Sequence, residues 1–274
     1  MWLIVAVTGA LWALWFSHRY AWWRPVTDWR RPRILMYHMV QAHRPGARFN
    51  GLRVTPESFD AQVAWLRAEG FTFFTMSELW ARWDNLPERA VAITFDDGYA
   101  DNLHLALPIL ERHGARATVY VVVDRHDRDW STYKKAHHNS GELAREAKLS
   151  DDELLRLVAS GRIEIGSHTL THCNLAKTPE ADKRHELVES KRALEDLLGS
   201  EVRSFAYPFG IYGPDDVRMA REAGYETAVT TVEGIDLVAP RPEPLDLKRV
   251  KISGKDSMLA FVMRMRGGRR GWKK

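Results

Sequence analysis

The sequence predicts an α/β domain, a parallel sheet covered by helices and either open or closed into a barrel, behind an apolar N-terminal segment. Strand and helix signals alternate from Ile34 to Ile252, the pattern of parallel strands joined by crossover helices. The chain has 274 residues and is 45% hydrophobic, enough for one sizeable core. Charged residues make up 28%, so most of the chain is neither disordered nor a stack of membrane spans.

The first element is Trp2 to Phe16, fifteen residues without a charge. A hydrocarbon core needs about 20 apolar residues. The segment reaches that length through Tyr20 to Trp23 if His18 and Arg19 snorkel. Trp22, Trp23 and Trp29 then form an interfacial belt. Residues 1–23 are therefore expected to be a membrane anchor, single-pass in a bacterial inner membrane. A cleaved signal peptide is the rival reading, but only Met1 precedes the apolar run and no basic n-region is present. Arg19, Arg24, Arg30, Arg31 and Arg33 follow the segment, which favours a cytoplasmic catalytic domain over a periplasmic one. Residues 24–32 read as a linker, 33–266 as the enzyme domain and 267–274 as a basic tail. The tail's Arg269, Arg270, Lys273 and Lys274 flank Trp272 and suit anionic lipid as well as solvent.

Within the domain, Ile34 to Tyr37 is the first strand. Thr55-Pro56 gives an N-cap and a proline at the first helical position, and Phe59, Val63, Trp65 and Leu66 share the face that follows. Phe71 to Thr75 and Val91 to Phe95 are strands. Leu105 to His113 is helical, with Gly114 as its stop. Ala117 to Val123 is a β-branched central strand. Ser150-x-x-Glu153 is a capping box for a helix to Ser160. Ile163 to Ile165 is a brief strand, and Pro179 to Leu198 a long amphipathic helix. Ser204 to Tyr207, Thr227 to Val232 and Arg249 to Ile252 complete the strands, with a helix from Pro214 to Ala223. Asp124 to Lys148 is a long polar insertion with His126, His137 and His138, expected as a surface loop near the site mouth.

The net charge of +4 is too small to argue for nucleic acid. Cys173 is the single cysteine, so no intrachain disulfide forms.

Three motifs follow strands, where chemistry gathers in such folds. The first is Thr94-Phe95-Asp96-Asp97-Gly98-Tyr99. Adjacent carboxylates let one bind a metal while the other takes a proton; a plain strand-ending turn is the bland alternative. The second is His168-Thr169-Leu170-Thr171-His172. Histidines four apart share one face of a helical turn and can grip one ion. With Asp97 they leave coordination positions open for water and substrate. The third is Phe205-Ala206-Tyr207-Pro208-Phe209-Gly210, either a packed turn or a groove wall that offers a backbone N–H.

Together these motifs resemble the polysaccharide deacetylase family in type, order and spacing, over roughly Arg33 to Arg266. The resemblance implies a distorted (β/α) barrel and a divalent metal, most often Zn2+, with Co2+ or Ni2+ as alternatives. It implies Asp97, His168 and His172 as metal ligands and Asp96 as general base. Two departures stand out. Many members carry an arginine where this chain has Ala206, and many carry a late Leu-x-His motif that is absent after Gly210. Met36-Tyr37-His38 resembles the early histidine of the poly-N-acetylglucosamine deacetylase branch, which makes His38 the candidate general acid. Tyr99, Tyr207, Pro208 and Phe209 are the candidate substrate groove.

The expected function is metal-dependent removal of N-acetyl groups from an N-acetylated glycan or lipid-linked amino sugar. The alternatives are deformylation, O-acetyl ester hydrolysis, or glycan binding by an inert site.

Overall fold

The computed structural model describes residues 2–130, 135, 138 and 140–271, with side chains from Val5 onward. His137 and the tail residues Trp272, Lys273 and Lys274 lie outside the described residues.

The strands are β1 (Arg33–Tyr37), β2 (Met39–Val40), β3 (Arg53–Val54), β4 (Thr72–Phe74), β5 (Ala90–Phe95), β6 (Ala117–Val121), β7 (Ile163–Ser167), β8 (Ser204–Ala206), β9 (Thr227–Glu233) and β10 (Leu247–Lys251). β5 to β10 pair in sequence order, all parallel. β1 closes the ring by pairing with both β10 and β5. The result is a seven-stranded parallel barrel, with β4 added along the first half of β5. Of the two architectures the alternation allowed, the chain adopts the closed one.

The helices are α1 (Trp2–Tyr20), α2 (Pro56–Ala68), α3 (Met76–Ala81), α4 (Leu107–His113), α5 (Asp151–Ala159), α6 (Glu180–Leu198), α7 (Pro214–Glu222) and α8 (Met258–Gly267). The expected caps are present. Thr55 accepts from the Ser58 N–H, and Ser150 and Glu153 form both bonds of the capping box. Gly114 ends α4 and Gly199 ends α6 in the left-handed region, where glycine has no Cβ penalty. Sequence periodicity did not mark α3 or α8. Both are short helices capped by Thr75 and Ser257.

Strand alternation sorts the core into two layers. Val91, Ile93 and Phe95 of β5 face the helices with Leu35, Val119, Ile165 and Phe205. Ala90 and Ala92 face the barrel axis with Ile34, Tyr120, Ala206, Val229 and Leu247. Met76, Leu79 and Trp83 belong to this inner cluster and plug the end where the strands begin. Gly166 on β7 is required by the close packing inside. A Cβ there would stand 2.5 Å from the Tyr120 ring and 2.9 Å from the Ser204 carbonyl oxygen.

Two expectations change. No helix among the described residues is long and apolar enough to cross a membrane, so the expected single-pass span is not what α1 provides. α1 is nevertheless apolar and uncovered, with Val5, Leu11, Trp12, Leu14 and Trp15 each more than half exposed. The insertion is not simply a surface loop either. Arg125, Trp130, Glu142, Leu143, Glu146 and Lys148 are buried. Arg53 of β3 donates to Glu142 at 2.7 Å and to Glu146 at 2.6 Å, which fastens the insertion over the barrel mouth. Paired carboxylates explain how a polar sequence packs inside.

Candidate active site

The inward rows of the strands end in the site. On β1 the row Ile34, Met36 continues to His38; on β5, Ala92, Thr94 leads to Asp96; on β7, Glu164, Gly166 leads to His168. Period-two geometry thus delivers these side chains to the axis where the strands finish. They line one cavity of about 830 Å³, with Asp97, His172 and Phe209.

Asp97 Oδ1 lies 3.4 Å from His168 Nε2 and 3.3 Å from His172 Nε2, and the two Nε2 atoms are 3.2 Å apart. Three donors at such spacing are corners of a tetrahedron whose centre is about 2 Å from each, the usual zinc-to-nitrogen or zinc-to-oxygen length. The donor chemistry fits as well. His168 Nδ1 is 2.7 Å from the Ala206 carbonyl, which can only accept, so the proton sits on Nδ1 and the Nε2 lone pair faces the cluster. Burial pushes the His172 imidazole down to about 4, against the Asp97 hydrogen bond, so that ring is neutral and free to ligate. Burial would raise Asp97, but the His168 and His172 imidazoles beside it outweigh that and hold it well below the usual carboxylate range.

The histidines do not share a helical turn, as their spacing suggested. Residues 168–172 form a loop in which Thr169 (φ 68°) and His172 (φ 58°) are left-handed. Glu186 on α6 clamps it through the Thr171 N–H (2.9 Å) and hydroxyl (2.6 Å). The Val123 and Asp124 N–H groups bond to the Thr169 and Leu170 carbonyls. Trp130 stacks on the His172 ring at 4.9 Å, and Phe209 meets it edge-on at 4.4 Å. Of six described non-glycine residues with positive φ, four (Asp97, Thr169, His172 and Phe209) stand at this site. Thr169 is β-branched and costly there, so the strain is concentrated where the donors must converge.

Asp96 is gripped by Arg249 of β10. Nη1 donates to Oδ1 at 2.7 Å and Nη2 to Oδ2 at 2.8 Å. Burial would raise the Asp96 carboxyl, but the Arg249 charge and hydrogen bonds outweigh it and keep it below the ordinary range. Arg249 is itself fixed by the Thr230 carbonyl (2.7 Å) and the Thr94 hydroxyl (3.1 Å). This guanidinium occupies the barrel interior, toward which Ala206 also faces. Sequence reasoning missed it, because Arg249 shares its strand with Lys248 and Lys251 and the inward row is set only when the barrel closes through β1. His38 Nε2 lies 4.0 Å from Asp96 Oδ2. Burial holds its imidazole below the usual value, against the raising effect of Asp97 and Asp96.

Of the four candidate groove residues, only Phe209 lines the cavity. Tyr207 is fully buried, donates to the Leu245 carbonyl at 2.9 Å and stacks on Tyr212. Pro208 is buried beside it. Tyr99 is buried too, with the Lys148 ammonium 4.6 Å above its ring. An aromatic motif after a strand packs inward as readily as it forms a wall, and here the packing reading holds for three of the four. Trp130, also missed, lines the cavity from the insertion. His138 lines it as well and meets Phe49 edge-on at 5.4 Å.

A family model described as polysaccharide deacetylase matches residues 84–228. A Bacillus subtilis protein named as a polysaccharide deacetylase, YxkH, is 30% identical over 232 residues, 83% of this chain and 74% of that one. Poly-beta-1,6-N-acetyl-D-glucosamine N-deacetylases of Staphylococcus aureus are 24% identical over 210 residues, 73% of this chain and 68% of theirs. The Streptococcus pyogenes deacetylase PplD, solved in complex with acetate, superposes with a TM-score of 0.70 at 26% identity, over 89% of this chain and 99% of that one.

Proposed function

The chain belongs to the polysaccharide deacetylase family, and from that premise we propose that it is a metal-dependent hydrolase that removes N-acetyl groups from amino sugars. The observation that carries this reading is the donor triangle of Asp97, His168 and His172, with a buried carboxylate and an imidazole on the same cavity. Zn2+ is the metal this donor set suits best; Co2+ and Ni2+ suit the same donors. When bound, the metal supplies Lewis-acid polarisation of the amide carbonyl and acidifies a water.

The chain's own groups move the proton. Asp96, kept ionised by Arg249, takes a proton from the attacking water as the C–O bond forms. His38 is held neutral at rest, so it begins the cycle without the proton it must give. That proton comes from Asp96, whose Oδ2 is 4.0 Å from His38 Nε2 and must close to hydrogen-bond distance for the transfer. It passes to the departing nitrogen as the C–N bond breaks, leaving acetate and a free amine. The Phe209 backbone N–H is the proposed donor to the tetrahedral oxyanion. Trp130 and Phe209 hold the His172 ring between them. For localisation, the reading is a domain held at a membrane surface by α1, whose apolar side chains have no cover among the described residues.

The test is acetate release from an N-acetylglucosamine oligomer, with chelator and with Zn2+ added back, alongside N-formyl and O-acetyl analogues. Chelator-sensitive release from the N-acetyl substrate supports the reading. Preference for the N-formyl or O-acetyl analogue reassigns the acyl group, and a metal-loaded chain that cleaves none of them sinks the hydrolase reading.

A further inference from the structure

The cavity is not built by the barrel alone. Trp15, His18 and Arg19 of α1 form part of its wall, together with Lys251 at the end of β10. Lys251 stands on the inward row of β10 after Leu247 and Arg249, at the mouth above the Asp96–Arg249 pair. The charges on this wall divide cleanly. Arg264 is committed to Glu233 and Asp256, and Arg270 to Asp256. Asp96 is held by Arg249, and Asp97 belongs to the donor triangle. Arg19 and Lys251 have no carboxylate partner among the described residues; Arg19 lies over the Trp15 and Tyr20 rings at 5.4 and 5.7 Å. Lys135 of the insertion also lines the cavity, exposed and without a carboxylate partner among the described residues, and cations without counter-charge on the wall of a concave site attract an anion. A neutral N-acetylhexosamine polymer brings none. A phosphate ester on the sugar brings oxygens that a guanidinium and an ammonium both bind well.

We propose that Arg19 and Lys251 form an anion subsite for a phosphate ester carried by the acylated amino sugar; this rests on the deacetylase reading above. The phosphate could belong to a soluble sugar phosphate or to a lipid carrier. The structure favours the lipid. The helix that supplies Arg19 continues away from the cavity as an apolar surface, with Val5, Leu11, Trp12 and Leu14 uncovered and no acidic residue in its first turn. Its other end is tied to the domain beside the cavity, where Thr27 N–H bonds to the Arg266 carbonyl at 2.8 Å and Arg24 to the Gly271 carbonyl at 3.4 Å. A lipid chain leaving the phosphate would run along that surface.

The experiment uses the full chain in detergent micelles, loaded with Zn2+. Its substrates are an N-acetylglucosamine oligomer, N-acetylglucosamine 1-phosphate, and N-acetylglucosamine phosphate on a long isoprenoid. Amine release is compared with that of Arg19→Ala/Lys251→Ala, with Arg19→Lys as the charge-preserving control. The expected result is a kcat/KM at least about tenfold higher for the isoprenoid substrate than for the oligomer, lost in the double variant through KM, with the oligomer rate unchanged. Arg19→Lys should retain most of the preference. Equal rates on all three substrates, unmoved by the double variant, would overturn the subsite and leave the deacetylase reading intact. Preference for the soluble phosphate equal to that for the isoprenoid would keep the subsite and discard the lipid carrier. No release from any substrate by the metal-loaded chain would instead remove the deacetylase reading, and the subsite with it.

Discussion

Arg249 holds both carboxylate oxygens of Asp96, at 2.7 and 2.8 Å, from a strand more than 150 residues away in sequence. Neither residue could be buried alone. An isolated carboxylate on the barrel axis would take up a proton, and an isolated guanidinium would lose its hydration without return. Paired, they give the site an ionised base whose orientation is fixed by two parallel hydrogen bonds.

Removing the guanidinium should therefore change pH dependence as well as rate. In Arg249→Met, burial acts on Asp96 without opposition, so its carboxyl moves up from its present position below the usual range. The acid limb of the kcat/KM profile should shift to higher pH. Breaking the pair should also cost about 3–5 kcal/mol of stability at neutral pH. The sign follows from the depressed folded value: the contribution of Asp96 is present above its unfolded pKa and lost as pH falls through the folded one. The destabilisation should thus shrink in acid. Arg249→Lys should restore part of the limb's position, and an unshifted limb in both variants would refute the role.

Asp96→Asn tests the base directly. The ligand atoms belong to Asp97, His168 and His172, so metal content should match the parent chain. Turnover should fall about a hundredfold or more, with KM little changed. Metal analysis and steady-state rates on one preparation decide it, and near-normal turnover would show that another group takes the proton.

The sequence made some of this visible and hid the rest for physical reasons. Asp97, His168 and His172 lie in two short local motifs at strand ends, so their convergence needed only parallel strands side by side. Arg249 and Lys251 sit in a strand whose inward row is evident only once the barrel closes through β1. His38 was legible through its own motif, but its 4.0 Å approach to Asp96 depends on β1 pairing with β5. Tyr99, Tyr207 and Pro208 were misplaced because an aromatic flanking a catalytic residue looks alike whether it faces the groove or the core. The helical turn expected for residues 168–172 failed because α6 and the insertion supply the loop's hydrogen bonds from outside.

Metal should stabilise the fold measurably, independent of any turnover. At a free Zn2+ concentration about 100 times the Kd, the metal-binding state gains about 2.7 kcal/mol over the metal-free one. Thermal melts with and without chelator should separate accordingly. His168→Ala and Asp97→Ala should lose most of that gap, and His38→Ala should keep it. A gap that persists in both ligand variants would place the metal elsewhere.

The insertion clamp makes a distinct prediction. Arg53→Met leaves Glu142 buried without its cation and Glu146 with Arg44 alone. Breaking such a pair costs about 3–5 kcal/mol when the remaining charge is uncompensated. Local loosening around residues 142–148 should precede global unfolding and release Trp130 from the His172 ring. Tryptophan fluorescence and amide exchange would show this, and a single cooperative transition with native protection in the insertion would contradict it.

Asp101 supplies the clearest stability prediction against pH. Burial pushes its carboxyl up to about 7, and the nearby Glu146 charge adds to the shift, against hydrogen bonds from the Val40 N–H and the Asn102 amide. Its folded pKa thus exceeds its unfolded one, opposite to Asp96. Below about pH 4 the acid is protonated in both states and contributes no penalty. As pH rises toward 7 the unfolded chain releases the proton that the folded chain still holds, so stability falls, and above 7 the penalty is complete. Asp101→Asn keeps an oxygen for the Val40 N–H and removes the charge. It should come closest to the parent chain below about pH 4 and exceed it at pH 8, by on the order of 4 kcal/mol. Urea melts at the two pH values measure the difference. A gain that is the same at both would mean that the Asp101 charge is not what limits stability there.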